Sequence, residues 1–196
     1  MSKLHKVDLV GLLEEHGALL HGHFRLSSGV HSSSYIQTAL VLQYPHIAGK
    51  IAKEVASKFP QAVDCVCSPA MGAVVIGQEV ARAKKCRAIF TERVGNAMSL
   101  RREFHIERGE KVLVVEDVLT TGRSTGEVVN LARSYGAKVL GVAAIVDRSV
   151  STPGFDIPFR SLISYPLEIY PPDNCQLCKN GMPLTSPGSR YLEPTL

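Results

Sequence analysis

The chain has 196 residues, 45% apolar and 20% charged, a balance that suits a globular protein able to bury a substantial core by itself. It carries no apolar run near the roughly 18 residues a membrane helix needs, and its first ten residues, MSKLHKVDLV, hold no apolar signal core, so a cytoplasmic address is expected. The net charge of +4 invites a nucleic-acid reading, but the basic residues concentrate in one short stretch rather than along a face, and no stable nucleic-acid or membrane partner is expected.

Leu9, Leu12 and Leu13 predict an amphipathic helix over 6–17, and 22–37 reads as a polar, hairpin-like segment. Pro45 opens a second helix whose Ile47, Ala48, Ile51, Ala52 and Val55 share one face. A strand over 62–67 leads through Ser68-Pro69-Ala70-Met71-Gly72 into a helix over 73–84 and a strand over 86–91. Arg93, Arg101, Arg102 and Arg108 then stand among Gly95, Asn96 and Ser99, which predicts a long mobile loop or hairpin, either a lid or a solvated charged turn. A strand over 111–116, a helix over 125–135 and a strand over 139–147 follow. Two successive β-α-β units imply an α/β fold with a doubly wound, mostly parallel sheet and flanking helices. No repeat or linker divides residues 1–196, so a single domain is expected, ending in a Pro-rich tail from Pro166.

Of the five cysteines, Cys65, Cys67 and Cys86 lie in or beside apolar strands, where thiols act as small hydrophobes, and the odd count argues against a secreted disulfide framework. Cys175 and Cys178 form the one C-x-x-C. Zinc normally takes four ligands and the tail offers no histidine, so a metal there requires another segment or subunit. Plain reduced thiols are the expectation, and no residue is assigned as a metal ligand.

The most informative segment is VLVVEDVLTTGRST at 112–125. Its β-branched run, preceded by Gly109-Glu110-Lys111, predicts a buried parallel strand with Glu116 and Asp117 at its carboxyl end, where open α/β sheets bind ligands. Ser124-Thr125-Gly126-Glu127 reads as a capping box starting the next helix. Main-chain N-H groups of Thr121 to Thr125, with the hydroxyls of Thr120, Thr121, Ser124 and Thr125, suit a phosphate monoester, and Gly122 permits close approach. The two acids would repel that phosphate, but they suit the hydroxyls of a ribose diol. A polar turn with two solvated acids is the plain alternative.

This run resembles the phosphoribosyl-pyrophosphate (PRPP) motif of the type I phosphoribosyltransferases. GHFRLSSGVHSSSYIQ at 22–37, SPAMGAVVIGQ at 68–78, the Arg93 to Arg102 segment and IVDRS at 145–149 resemble further segments of the family's orotate-using branch, in order. The resemblance implies Mg²⁺-dependent transfer of a 5-phosphoribosyl group from PRPP to orotate, giving orotidine 5-monophosphate and pyrophosphate in pyrimidine synthesis, in a homodimer with shared sites. It implies PRPP contacts from Glu116, Asp117, Val118, Leu119, Thr120, Thr121, Gly122, Arg123, Ser124 and Thr125, from Arg93, and from the pyrophosphate loop at Ala70, Met71 and Gly72. Orotate falls to Arg148, whose guanidinium suits a carboxylate, to Thr120, and to a small cap from residues 1–40 offering Phe24, Ser27, Ser28 and His31, with Tyr35 as a second aromatic wall. Asp117, Arg101 and Arg102 are the catalytic candidates. The chain departs from the family pattern where Gly72 and Ser27 replace lysines and where the arginine segment lacks its lysine, so Arg101, Arg102 or His105 is expected to substitute. A transferase for another base, or a PRPP-sensing nucleic-acid-binding regulator, are the competing readings.

Overall fold

A computed structural model describes residues 8–26, 28–149 and 154–187. Six strands form the main sheet: β3 (Cys65–Pro69), β4 (Arg87–Val94), β5 (Ala97–Leu100), β6 (Lys111–Leu119), β7 (Lys138–Asp147) and β8 (Phe159–Ser164). Their order is β5-β4-β3-β6-β7-β8, all pairs parallel except the β4–β5 hairpin. The mostly parallel sheet and flanking helices agree with the predicted fold class. The chain builds outward from β3 through β4 to β5, then returns to the other side of β3 with β6, so the winding reverses between β3 and β6. Such a reversal opens a crevice at the strand carboxyl ends, because the following loops diverge to opposite faces.

Two cores flank the sheet, and β6 feeds both. Leu113 and Val115 join the cluster with α3 (Pro45–Ser57) and α4 (Ala73–Lys84); Val112 and Val114 join the opposite cluster with α5 (Arg123–Ser134). The near-continuous apolar run of β6 is therefore what a strand buried on both faces requires. The predicted helix over 73–84 is observed with those bounds, and the shorter α1 (Leu9–Glu15) is capped by Asp8, whose carboxylate accepts from the Gly11 N-H at 3.1 Å. A short α2 (Ala39–Leu42) links the cap to α3.

The capping box is a correction. Helix α5 starts at Arg123, its N-cap is Gly122 at φ 72°, and no side chain caps it. Glu127 instead receives Arg93 at 2.8 Å, and the Thr125 hydroxyl is given to Glu116. β6 also runs three residues beyond its predicted end, because parallel partners in β7 continue to Asp147. The arginine segment is a hairpin turning at Gly95-Asn96.

The N-terminal cap is a second sheet in which β1 (Leu19–Arg25) and β2 (His31–Ile36) pair antiparallel. Its third strand comes from the tail: β9 (Ile169–Tyr170) pairs with β2, and a bridge joins Phe24 to Thr185. β8, β9 and a short α6 (Gln176–Lys179) have no counterpart in the sequence expectations, where the tail was simply Pro-rich.

Gly77 in α4 faces β3 so closely that a Cβ there would overlap Ser68 Oγ and stand 3.0 Å from Ser68 Cβ. Alanine at an ordinary helix glycine stabilises by up to about 1 kcal/mol. Gly77→Ala is expected to destabilise instead, by about 1–3 kcal/mol through overpacking, read by urea unfolding.

Candidate active site

Alternation along β6 decides what its paired acids do, since neighbouring residues of a strand point to opposite faces. Glu116 continues the Val112-Val114 side and is buried beneath α5, where the Thr125 hydroxyl donates to its Oε2 at 2.8 Å. Burial, then the neighbouring Asp117 charge, push its carboxyl well above the usual carboxylate range. Asp117 continues the Leu113-Val115 side and stays partly exposed. The Thr38 hydroxyl, from the start of α2, donates to Asp117 Oδ2 at 2.6 Å. Thr38 was not anticipated: it lies outside every motif, and only the fold brings it 79 positions along the chain to the acid.

Beyond the acids, Val118 and Leu119 finish the strand, and Thr120 and Thr121 are exposed. The left-handed Gly122 turns the chain directly into α5, so the N-H groups of the helix's first turn, from Arg123 to Thr125, have no partner of their own within the helix. The Thr121 hydroxyl accepts from Arg123 N at 3.4 Å. Strand, hydroxyl pair and helix start thus make a concave anion cradle.

The second loop, after β3, meets this cradle. Its Ala70–Met71 peptide is cis, Ala70 N donates to Thr91 O at 2.8 Å, and the Met71 side chain is 73% exposed. At Gly72 a Cβ would lie 2.8 Å from Asp117 Oδ2. A side chain at position 72 would therefore require the Asp117 carboxylate to shift. Ala70, Met71 and Gly72 are brought to Asp117 by the two loops flanking the point where the sheet's winding reverses.

Arg148, just past β7, is the one buried arginine among the described residues, at 8% exposure. Its main-chain N-H donates to Leu119 O at 2.8 Å, which ties it to the end of β6. Among the described residues it forms no ion pair, and its Nε-H has no acceptor. Burial lowers its proton affinity, while Tyr35 acts the other way. Tyr35 is itself pushed upward by burial and Asp117, against the pull of Arg148, so phenol, carboxylate and guanidinium share one electrostatic neighbourhood. Phe24 lies beside Tyr35 with ring centroids 5.9 Å apart. Of the other expected base contacts, Ser28 is exposed in the β1–β2 turn and Ser27 lies outside the described residues. The His31 ring faces a different cluster, with Nδ1 2.9 Å from His23 Nε2 and 3.3 Å from Cys178 Sγ.

The arginines separate. Arg93 bridges the hairpin to the cradle, donating to Glu127 Oε2 at 2.8 Å and Ser124 Oγ at 3.4 Å. Arg102 grips Glu92 through two nitrogens at 3.0 and 3.1 Å and covers the Phe90 ring, holding the Glu92 carboxyl below its ordinary range. Arg101 is exposed, and His105 stands 3.5 Å from Glu107. Of the hairpin arginines among the described residues, Arg93 is the one seen touching the loop after β6 and the start of α5.

Comparison with known proteins gives this geometry relatives. The phosphoribosyl transferase domain family matches residues 40–166. The orotate phosphoribosyltransferase of Caldicellulosiruptor saccharolyticus is 47% identical over 97% of this chain and 100% of its own length. That of Thermotoga maritima is 46% identical over 93% of this chain and 98% of its own. The crystal structure of orotate phosphoribosyltransferase from Aeropyrum pernix superposes with a TM-score of 0.67 at 25% identity, covering 80% of this chain and 93% of that one. With the cradle, the second loop and the buried arginine all within matched sequence, the chain belongs to the phosphoribosyltransferase family, in its orotate phosphoribosyltransferase group.

Proposed function

We propose that this chain transfers the 5-phosphoribosyl group of PRPP to a ring nitrogen of orotate, releasing pyrophosphate and yielding orotidine 5-monophosphate for pyrimidine synthesis. The observation that carries the choice of base is Arg148: a buried guanidinium with an unpartnered Nε-H, no ion pair among the described residues, and Tyr35, itself packed against Phe24, within electrostatic reach. Such a group is stabilised by a ligand that brings its own carboxylate, and two parallel N-H to oxygen bonds fit orotate.

In this reading the 5-phosphate rests on the N-H groups and hydroxyls from Thr120 to Thr125, and Asp117 accepts from the ribose diol while Thr38 holds its orientation. Glu116, buried beneath the cradle, anchors Thr125. The loop at Ala70, Met71 and Gly72 receives pyrophosphate on main-chain N-H groups. The displacement is loose: negative charge gathers on departing pyrophosphate as the base nitrogen approaches, and positive groups over it favour the transition state. Arg93 supplies part of that charge. Arg101 and Arg102, on the outer limb of the hairpin, are read as serving the site of a second copy in a homodimer.

The partly exposed Asp117 carboxylate beside two anion-binding loops fits Mg²⁺ carried in on PRPP, because that ion keeps several waters and needs few protein ligands. Among the described residues the one cluster of three or more metal-binding side chains lies elsewhere, so substrate oxygens would supply most of the coordination. Bound there, Mg²⁺ would supply neutralisation of pyrophosphate charge. The five cysteines are all unpaired, in keeping with a reducing cytoplasmic setting.

Purified protein given Mg²⁺, PRPP and a panel of bases is expected to consume orotate and leave adenine and guanine; consumption of a purine in preference to orotate would overturn the assignment. Arg148→Ala is expected to lower kcat/KM for orotate by about a hundredfold or more, while the slow use of uracil, which lacks the carboxylate, and the KM for PRPP change little. Asp117→Asn is expected to lower kcat/KM for PRPP by about ten- to a hundredfold, the loss of one charge-assisted hydrogen bond, with the fold retained by circular dichroism.

A further inference from the structure

Four metal-binding side chains converge where the C-terminal tail meets the N-terminal cap. His23 comes from β1, His31 from β2, and Cys175 and Cys178 from the C-x-x-C around α6; one ligand atom from each lies within 4.8 Å of all the others. The hairpin brings the histidines together: Phe24 is registered with Ser32 and Arg25 with His31, and an irregularity of the β1 register between His21 and Phe24 includes His23. Their rings meet edge to face with centroids 4.8 Å apart. On the other side Cys175 begins α6 and Cys178 is its third residue, so one turn places both sulfurs together.

The nitrogen–sulfur separations are close to those of a tetrahedron, and the nitrogens stand somewhat closer than one requires. With Zn–N near 2.1 Å and Zn–S near 2.3 Å, tetrahedral edges come to about 3.4 Å for N–N, about 3.6 Å for N–S and about 3.8 Å for S–S. Here His23 Nε2 lies 2.9 Å from His31 Nδ1, 3.5 Å from Cys175 Sγ and 3.7 Å from Cys178 Sγ, and His31 Nδ1 lies 3.3 Å from Cys178 Sγ. The second ring nitrogen of His23 is also committed: Nδ1 stands 2.8 Å from the Met182 carbonyl, to which an Nδ1-H would donate, leaving Nε2 as the free lone pair. Zinc-bound histidines are oriented by this kind of outer hydrogen bond. Three of the four side chains are buried, and the exposed Cys178 leaves an entry path.

We propose that His23, His31, Cys175 and Cys178 bind one structural zinc ion, which fastens the C-terminal tail to the cap. On binding, the two thiols release their protons to solvent, two Zn–S and two Zn–N bonds form, and the site is neutral overall with its four positions filled. Filled coordination leaves no place for a substrate, so the role is structural. The tail already touches the cap through the β2–β9 pairing, the Ser32 hydroxyl donating to Glu168 O at 2.8 Å, and the Arg25 N-H donating to Thr185 O at 2.8 Å. A metal at the centre of these contacts cross-links residues about 150 positions apart, closing a long loop in the unfolded chain and holding Phe24 and Tyr35 over Arg148. The sequence expectation of plain reduced thiols rested on the absence of a histidine in the tail; the histidines come from the other end of the chain.

The test uses untagged full-length protein purified under reducing conditions, with metal measured by mass spectrometry. One zinc per chain is expected, retained on dialysis and absent from a Cys175→Ser/Cys178→Ser double variant. After chelation, Co²⁺ added to the wild-type apoprotein should give the strong visible bands of a tetrahedral thiolate-ligated ion, and these should be weakened in Cys178→Ser. Melting temperature should fall on chelation in the wild type and stay unchanged in the double variant. Apoprotein that keeps its native circular dichroism but takes up neither zinc nor cobalt would overturn the proposal, as would a full equivalent retained by the double variant or an air-formed Cys175–Cys178 disulfide in place of metal. Metal content is read without the transfer reaction, so its failure leaves the proposed function standing.

Discussion

Two adjacent carboxyl groups at the end of one strand take different partners here, although they stay close enough for Asp117 to raise the Glu116 carboxyl. In β6 that division organises the site. Glu116 goes beneath α5, where burial favours its proton and the Thr125 hydroxyl pins it to the first turn of the helix. Asp117 goes to the side of α3 and α4, where Thr38 orients it and Gly72 lets the second loop close on it. One acid is pinned beneath the first turn of α5 and the other stays partly exposed beside the second loop, the separation on which the proposed recognition of a phosphate and a ribose at neighbouring positions rests.

The same strand also fixes the position of Arg148, the proposed contact for the base. Arg148 is tied through its main-chain N-H to the last residue of β6, and it is buried with part of its hydrogen-bonding capacity unmet. Leaving a buried charged donor unsatisfied costs on the order of 1–3 kcal/mol or more. A ligand that restores the missing partner would offset that cost, and in the proposed reading the Phe24–Tyr35 pair of the cap walls a planar one. The cap is in turn a joint product of both chain ends, since β9 and Thr185 complete the sheet that carries Phe24.

Much of this was legible in the residues. The apolar runs at 112–115 and 139–146, the Pro45 helix start and the 73–84 helix all fall where their periods put them, because each is decided by burial against the central sheet. The acid pair at the strand end and the glycine turn into α5 were visible for the same reason: they are adjacent residues of one segment. What could not be read is what depends on distant partners. Thr38 has no local signature, the Ser124 to Glu127 capping box lost to Arg93 and Glu116 as competing partners, and His31 faces His23 and Cys178 although its neighbours belong to the cap over the base. The C-x-x-C looked incomplete in isolation because half of its partners lie at the opposite end of the sequence.

The central claim is the division of labour at the end of β6. A crystal structure of the protein with PRPP and Mg²⁺ tests it most directly. The account predicts the 5-phosphate within hydrogen-bonding distance of the main-chain N-H groups between Thr121 and Thr125, the ribose hydroxyls on Asp117, and no ligand atom between Glu116 and Thr125. A sugar phosphate seated away from this cradle, or a ribose held with Asp117 turned from it, would contradict the account.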